Sequence, residues 1–456
     1  CSSLKYFGFS NAVIFEVSFW FIPKWVARQV TVSPKLINPE VVPLIASSLV
    51  FLVDILCKSI LLARSKQMSI VEFISVFSSI FGIYYFYTKY RKNYQKSIKN
   101  NFKPNPNTVI LRTTEADLIL NNPFRGFFVV GAAGSGKSES IAVPLLEQFI
   151  EKNYSGIIYD FKFPTLANEV ETFMDSKGIS LGSAGRNLKH YYVCFDDNIQ
   201  THKINPIAPK YVPNTTYARE YAQSIISNLM KESIKKPDYW TRSATDILTA
   251  CIWFLKEEHP EYCDIPHLFA LITSNDTQLL KLLQTNILTQ QMTISIFSAM
   301  ERGADSQVSG VIGTLQGAIA QINTPDLMHV FSADETPLNV NDPKNPIILT
   351  IGNNPTISNT LAPLCSLIIT VCTKLMNQPD KHASFVMLDE APTIFIPNLE
   401  IIPNTGRSNK ISTVIMCQDI AQLTDGYGKE KADVLFSACN NHFYGRVSSS
   451  QTAEIL

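Results

Sequence analysis

Two long apolar runs open the chain, and a series of short apolar runs, each stopping at a loop, fills the remainder. PLIASSLVFLVDILCKSILLA (43–63) is long enough to span a bilayer, which needs about 20 residues as a helix. Its Asp54 and Lys58 stand four apart, on one helix face, where pairing lowers their cost of insertion. IVEFISVFSSIFGIYYFYT (70–88) is a second candidate and ends in aromatic residues suited to the headgroup layer. A third, weaker run at 11–27 is broken by Glu16, Pro23 and Lys24. KYRKNYQKSIKNNFK (89–103) then carries six basic residues and no acidic one, which places the downstream chain in the cytoplasm; the basic RSKQ link at 64–67 opposes that assignment.

From residue 104 the pattern changes to that of an α/β protein. Strands are expected at RGFFVVG (125–131), SGIIYDF (155–161), HYYVCF (190–195), NPIILTIG (345–352), SFVMLDE (384–390), ISTVIMCQ (411–418) and HFYGR (442–446). Runs apolar on both faces with helices between them predict a mostly parallel, buried sheet. Between 214 and 335 the strand signal disappears and the text reads helical. The expected division is therefore 1–103, an anchor and basic linker; 104–213 and 336–456, two parts of one nucleotide-binding domain; and 214–335, an all-helical insertion.

Composition adds little. Lys plus Arg equals Asp plus Glu at 39 each, so net charge selects no partner. The nine cysteines show no CxxC pair, and several sit in apolar runs, as buried reduced thiols do.

The chemistry is concentrated in a few motifs. Gly131-Ala132-Ala133-Gly134-Ser135-Gly136-Lys137-Ser138, followed by Glu139, fits G-x-x-x-x-G-K-[ST]. Such a loop turns backbone N–H groups toward phosphate oxygens, Lys137 adds charge, and Ser138 offers a hydroxyl to Mg²⁺. Roughly 0.02 chance matches are expected in a chain of this composition, so the motif carries weight. Asp389 and Glu390 end a buried apolar strand and supply the acidic partners, Asp389 for the metal and Glu390 for the attacking water. Gln418, at the tip of another strand, is placed to sense a γ-phosphate. Arg407 has two readings, a surface arginine or a finger reaching a neighbouring subunit's nucleotide. MKESIKKPDYWTR (230–242) mixes basic residues with Tyr239 and Trp240; a stacking surface for nucleic acid is one reading, and a solvated helix end over a buried tryptophan is the simpler one.

The phosphate loop, YDFK (159–162), INPI (204–207), LDEA (388–391), GR (406–407), CQDIAQL (417–423) and YGKE (427–430) stand in the order found in the type IV coupling proteins. The chain resembles these TraG/TraD-like ATPases of conjugation over nearly its whole length. LDEAPTIFIPNLE (388–400) is most similar to the Bacteroides-type mobilisation coupling proteins. The resemblance implies a RecA-like nucleotide domain with an inserted all-α domain and N-terminal transmembrane helices in the bacterial inner membrane. It implies ATP and Mg²⁺ as ligands, a homo-hexamer with ATP between subunits, and a relaxase bound to single-stranded DNA as cargo for a type IV secretion channel. By the same likeness Lys137, Ser138, Asp389, Glu390, Arg407 and Gln418 take the family's nucleotide roles, with Asp160, Lys162 and Arg446 as secondary positions. Rival readings are an FtsK-like or channel-borne ring translocase and an ATP-switched membrane adaptor that does not pump. Three apolar runs in place of the family's two leave the membrane topology open.

Overall fold

The computed structural model describes residues 105–176, 188–196 and 200–447, together with Thr452, Tyr85, Lys89 and the backbone of three strands at 4–9, 12–17 and 30–32. The chain forms two compact units, Cys1–Lys103 and Pro104–Leu456. In the first, β1 (Leu4–Phe9), β2 (Ala12–Val17) and β3 (Val30–Val32) make an antiparallel sheet in the order β1-β2-β3. The weak third apolar run therefore begins as a strand and not as a membrane helix, in keeping with its Val, Ile and Phe content. The candidate spans 43–63 and 70–88 and the basic linker lie outside the described residues, apart from Tyr85 and Lys89.

In the second unit a small hairpin, β4 (Val109–Leu111) with β5 (Leu118–Leu120), precedes a seven-stranded parallel sheet. The seven expected strands are all present: β6 (Phe127–Val130), β7 (Ser155–Asp160), β8 (Lys189–Val193), β9 (Ile347–Gly352), β10 (Ser384–Leu388), β11 (Ile411–Cys417) and β12 (Asn441–Tyr444). Their order is β12-β6-β11-β10-β7-β9-β8. Residues alternate between the two faces. Phe127, Val129, Phe385, Met387, Val414 and Met416 meet Leu145 and Phe149 on one side. Phe128, Val130, Val386, Leu388, Ile415 and Tyr159 meet the helices of 215–330 on the other. Burial on both sides explains why the strands read as continuous apolar runs.

Every element from Thr215 to Val330 is helical. Asn214, Asp238, Asp264, Asn275 and Asn286 each cap a helix there by accepting backbone N–H bonds, so the polar punctuation of this stretch sets its helix starts. The helix Thr215–Leu229 packs on Tyr239–Glu258 and on Ser358–Met376. Ser358–Met376 is long and apolar enough to cross a membrane, but 78% of its apolar window is buried inside the protein, so it is a core helix. Trp240 departs from the simpler sequence reading: it is 41% exposed, its ring lying against Gly310.

Near its carboxyl end, Thr215–Leu229 makes one long-range polar contact. Asn228, 3% exposed, accepts the Phe395 N–H at 2.9 Å and donates to the Phe395 carbonyl at 2.7 Å and to that of Ser224 at 2.7 Å. Its amide thus pairs with a loop residue as a strand would, across 167 positions of sequence.

The central strands leave no room between them. A Cβ on Gly156 in β7 would lie 2.6 Å from the Phe385 carbonyl oxygen and 2.7 Å from its ring. Gly156→Ala is expected to destabilise the protein by about 1–3 kcal/mol, through displacement of β10. A denaturant midpoint unchanged from wild type would show that the strands can separate at no cost.

Candidate functional site

The parallel register brings the carboxyl ends of β6, β11, β10, β7 and β9 to one edge of the sheet. Cys417 pairs with Val130, Leu388 pairs with Ile415 and Tyr159, and Tyr159 and Asp160 pair with Ile351 and Gly352. The motif-bearing loops all leave from this edge.

The phosphate loop is fixed between its two neighbouring strands. Gly131 N–H donates to the Cys417 carbonyl at 3.1 Å, Ala132 N–H to that of Arg446 at 2.7 Å, and Gly445 N–H to that of Val130 at 2.7 Å. Gly134 and Gly136 have φ of +70° and +82°, which favours glycine and folds the loop back on itself. A Cβ on Gly131 would lie 2.4 Å from Ser135 Oγ, and one on Gly445 would lie 3.1 Å from it. Ser135 Oγ is buried without a partner. These features make a tight concave turn with Lys137 at its end, its ammonium donating to the Gly131 carbonyl at 2.5 Å.

The helix that follows does not begin as an α-helix. Residues Ser138–Ala142 form a π-turn, with Val143 N–H donating to the Ser138 carbonyl, before Val143–Glu151 continues as α. Pro144 has no N–H for the Ser140 carbonyl, so the wider turn takes over. Ser138 is half-buried at its start and Glu139 is exposed.

Across from the loop, Asp389 and Glu390 end β10. Asp389 N–H donates to the Tyr159 carbonyl at 3.0 Å. Burial raises the Asp389 carboxyl to about 6, reinforced by the Asp160 and Glu390 carboxylates and opposed by Lys137 and Lys162. Asp160 is buried; its Oδ2 accepts the N–H groups of Leu166 at 2.8 Å and Ala167 at 3.2 Å, and its Oδ1 has no partner. Burial pushes its carboxyl upward while those N–H bonds pull it down. Asp160 therefore anchors the start of the helix Thr165–Ser176 as well as facing the site. Two carboxylates and two ammonium groups thus bear on Asp389, and Ser138 and Asp389 are the side chains that could hold a divalent cation beside a bound phosphate.

Glu390 is 6% exposed and has left-handed backbone angles, φ 60° and ψ 57°, which cost a residue with a side chain about 1–2 kcal/mol. Its Oε1 accepts the Gln418 N–H at 3.0 Å, which joins the acidic strand end to the end of β11. Gln418 is half-buried beside it. Arg407 is not brought to this edge. It is exposed in the turn ahead of β11, at the opposite end of a seven-residue strand, roughly 20 Å away at about 3.3 Å per residue. Arg446, exposed, meets the phosphate loop through its backbone.

Sequence reasoning missed several contributors. Gly445, whose N–H joins the phosphate-loop strand, Thr393, whose hydroxyl donates to the Glu390 carbonyl, and Asn228, bonded to Phe395, belong to no phosphate-binding motif.

Fold and site together define a P-loop nucleotide-binding protein in which one strand, β11, separates the phosphate-loop strand from the acidic strand. Residues 87–456 match the family model for the type IV secretory system conjugative DNA transfer proteins, and the chain belongs to that family. Its function accordingly lies in coupling DNA transfer to type IV secretion. Among solved structures it is similar in fold to the bacterial conjugative coupling protein TrwBdeltaN70 in an unbound form, with a TM-score of 0.55 and 16% identity over 76% of this chain and 74% of that one. TrwB with ADP and Mg²⁺ matches at a TM-score of 0.51 and 18% identity, covering 70% and 69%. TrwB with the ATP analogue ADPNP matches at 0.50 and 18%, covering 70% of each. No curated protein matches the chain.

The raised Asp389 carboxyl has a measurable consequence for the nucleotide-free protein. The folded state holds this proton more tightly than the unfolded chain, so the penalty is absent below the ordinary value of 3.8 and complete above about pH 6. Asp389→Asn is expected to stabilise the protein by up to about 3 kcal/mol at pH 7.5, a gain that shrinks toward pH 5. A thermal melt showing no gain at pH 7.5, or one independent of pH, would count against this account.

Proposed function

We propose that the chain is a membrane-anchored ATP hydrolase that works as a homo-hexamer, coupling a relaxase–DNA complex to the secretion channel and helping to drive single-stranded DNA through it. The observation that carries the hydrolytic part is the Glu390–Gln418 contact. A glutamate at the acidic strand end is tied to the strand beside the phosphate loop, so one structural unit spans both the water-activating and phosphate-sensing positions.

In this reading the N–H groups of Gly131–Ser138 and the Lys137 ammonium bind the β- and γ-phosphates of ATP. Mg²⁺, held by Ser138 and Asp389, supplies charge neutralisation of those phosphates. Glu390 orients a water and accepts its proton as the water oxygen bonds to the γ-phosphorus and the bond to the ADP oxygen breaks. Gln418 registers whether the γ-phosphate is present. The helical stretch 214–335 acts as an inserted domain, and residues upstream of 104 carry the anchor in the bacterial inner membrane.

The place of Arg407 supports an assembly in which a nucleotide site is shared between copies of the chain. A side chain at the far edge of the sheet cannot contact the phosphate loop of its own chain, so any nucleotide it serves is held by another copy. A finger of this kind is worth roughly 10³–10⁵ in rate.

Lys137→Ala and Glu390→Gln are each expected to lower DNA-stimulated ATP turnover at least about 100-fold and to stop transfer of a mobilisable plasmid. Normal transfer by Lys137→Ala would sink the motor reading; turnover indifferent to DNA and to Glu390→Gln would favour an adaptor that recruits without pumping. Arg407→Ala alone is expected to be equally inactive, whereas subunits carrying Arg407→Ala mixed with subunits carrying Lys137→Ala should recover turnover at their shared interfaces. Failure of the mixture to recover would remove Arg407 from the active interface.

A further inference from the structure

Behind Glu390 lies a one-way chain of hydrogen bonds, centred on the buried Tyr159, that the nucleotide roles above do not use. It begins at Asn353, 3% exposed, just past the end of β9. Asn353 Oδ1 accepts the Asn354 N–H at 2.7 Å, which sets the orientation of the amide and turns Nδ2 the other way. Asn353 Nδ2 donates to the Tyr159 hydroxyl at 2.6 Å. That hydroxyl stands 2.8 Å from Thr393 Oγ1, and Thr393 Oγ1 donates to the Glu390 carbonyl at 2.8 Å. The Thr393 hydroxyl has one proton, and Glu390 receives it, so the Tyr159 proton must point to Thr393. Every donor in the chain is thereby assigned, and the direction runs from β9 through β7 to the acidic residue.

The burial of this chain gives it force. Tyr159 is wholly buried at the centre of the chain, so water does not compete for its hydroxyl. The Glu390 carbonyl also takes the Thr393 N–H at 3.1 Å. Two bonds from Thr393 therefore converge on a residue whose left-handed backbone resists its own conformation. That backbone orientation decides where the Glu390 carboxylate points, because the side chain leaves a backbone held on one side by Thr393 and has its own Oε1 held by Gln418 N–H on the other.

We propose that Thr393 is a positioning residue for Glu390, with Tyr159 and Asn353 holding the Thr393 hydroxyl in its donating orientation. This rests on the hydrolytic reading of Glu390 given above. A network that orients an acting group in this way is worth about 10- to 100-fold in activity when broken.

The test uses the full chain and compares Thr393→Val, Thr393→Ser, Tyr159→Phe and Glu390→Gln. Thr393→Val, which keeps the shape and removes the hydroxyl, is expected to lower kcat about tenfold or more, with KM and the affinity for a fluorescent ATP analogue within about twofold of wild type. Thr393→Ser returns the hydroxyl and should restore most of the loss. Tyr159→Phe should lower kcat in the same manner, and the double variant Tyr159→Phe with Thr393→Val should be no slower than the slower single one, as members of one chain behave. If kcat is unchanged in Thr393→Val, the proposal is wrong. It is also wrong if kcat, nucleotide affinity and melting temperature fall together and Thr393→Ser does not recover them, since that is the signature of packing alone. Glu390→Gln separates the two levels: if it leaves turnover intact, the hydrolytic reading fails first; if it abolishes turnover while Thr393→Val does not, only the positioning role fails.

Discussion

The parallel register of five adjacent strands governs everything else in this protein. Because β6, β11, β10, β7 and β9 run in one direction and end level, the glycine-rich turn, Gln418, the acidic pair, Asp160 and Asn353 share a single edge. The same constraint sends Arg407, which precedes β11, to the opposite edge. A single backbone arrangement thus assembles one part of a site and exports another. An antiparallel strand at β11 would exchange the positions of Arg407 and Gln418.

The assembled edge is electrostatically uncomfortable. Asp160, Asp389 and Glu390 are crowded in a poorly solvated place, with Lys137 turned onto its own loop carbonyl. A protein built for stability alone would not hold three carboxylates there. Burial first, and repulsion by the Asp160 and Glu390 carboxylates second, make an ionised Asp389 a standing cost of the ligand-free protein. The left-handed backbone of Glu390 belongs to the same class of local expense at a working site.

Much of this is legible in the sequence, and the reason is locality. Each of the seven buried strands writes its own apolar run, and the phosphate loop is a contiguous motif whose glycines and lysine are needed side by side. Even the helix starts of 215–330 are marked by Asn and Asp at their caps. Hidden from the sequence is whatever the fold joins across long distances. Thr393 and Tyr159 are 234 positions apart, Asn353 and Tyr159 194, and nothing near any of them marks the pairing. Two further local signals bear on helix ends. Pro144 already forbids a regular first turn at Ser138, and Trp240, whose size suggests burial, rests on a glycine and faces outward. The apolar run beginning at residue 11 is ambiguous for the usual reason, since a short stretch rich in Val, Ile and Phe serves a strand as well as a helix.

Asn228 changes how the helical stretch should be pictured mechanically. The segment from 215 to 330 leaves the sheet after β8 and rejoins it before β9, which by connectivity alone would make it a pendant free to swing on two strings. Packing on the sheet and the Lys231–Asn359, Lys235–Asp425 and Glu220–Lys374 contacts prevent that, and the amide of Asn228 adds a buried link to the backbone of Phe395, five residues beyond Glu390. The carboxyl end of the helix Thr215–Leu229 is thereby joined to the loop that follows Glu390. An insertion of the same shape without an asparagine at that turn would keep the other contacts and lose this link to the loop after Glu390.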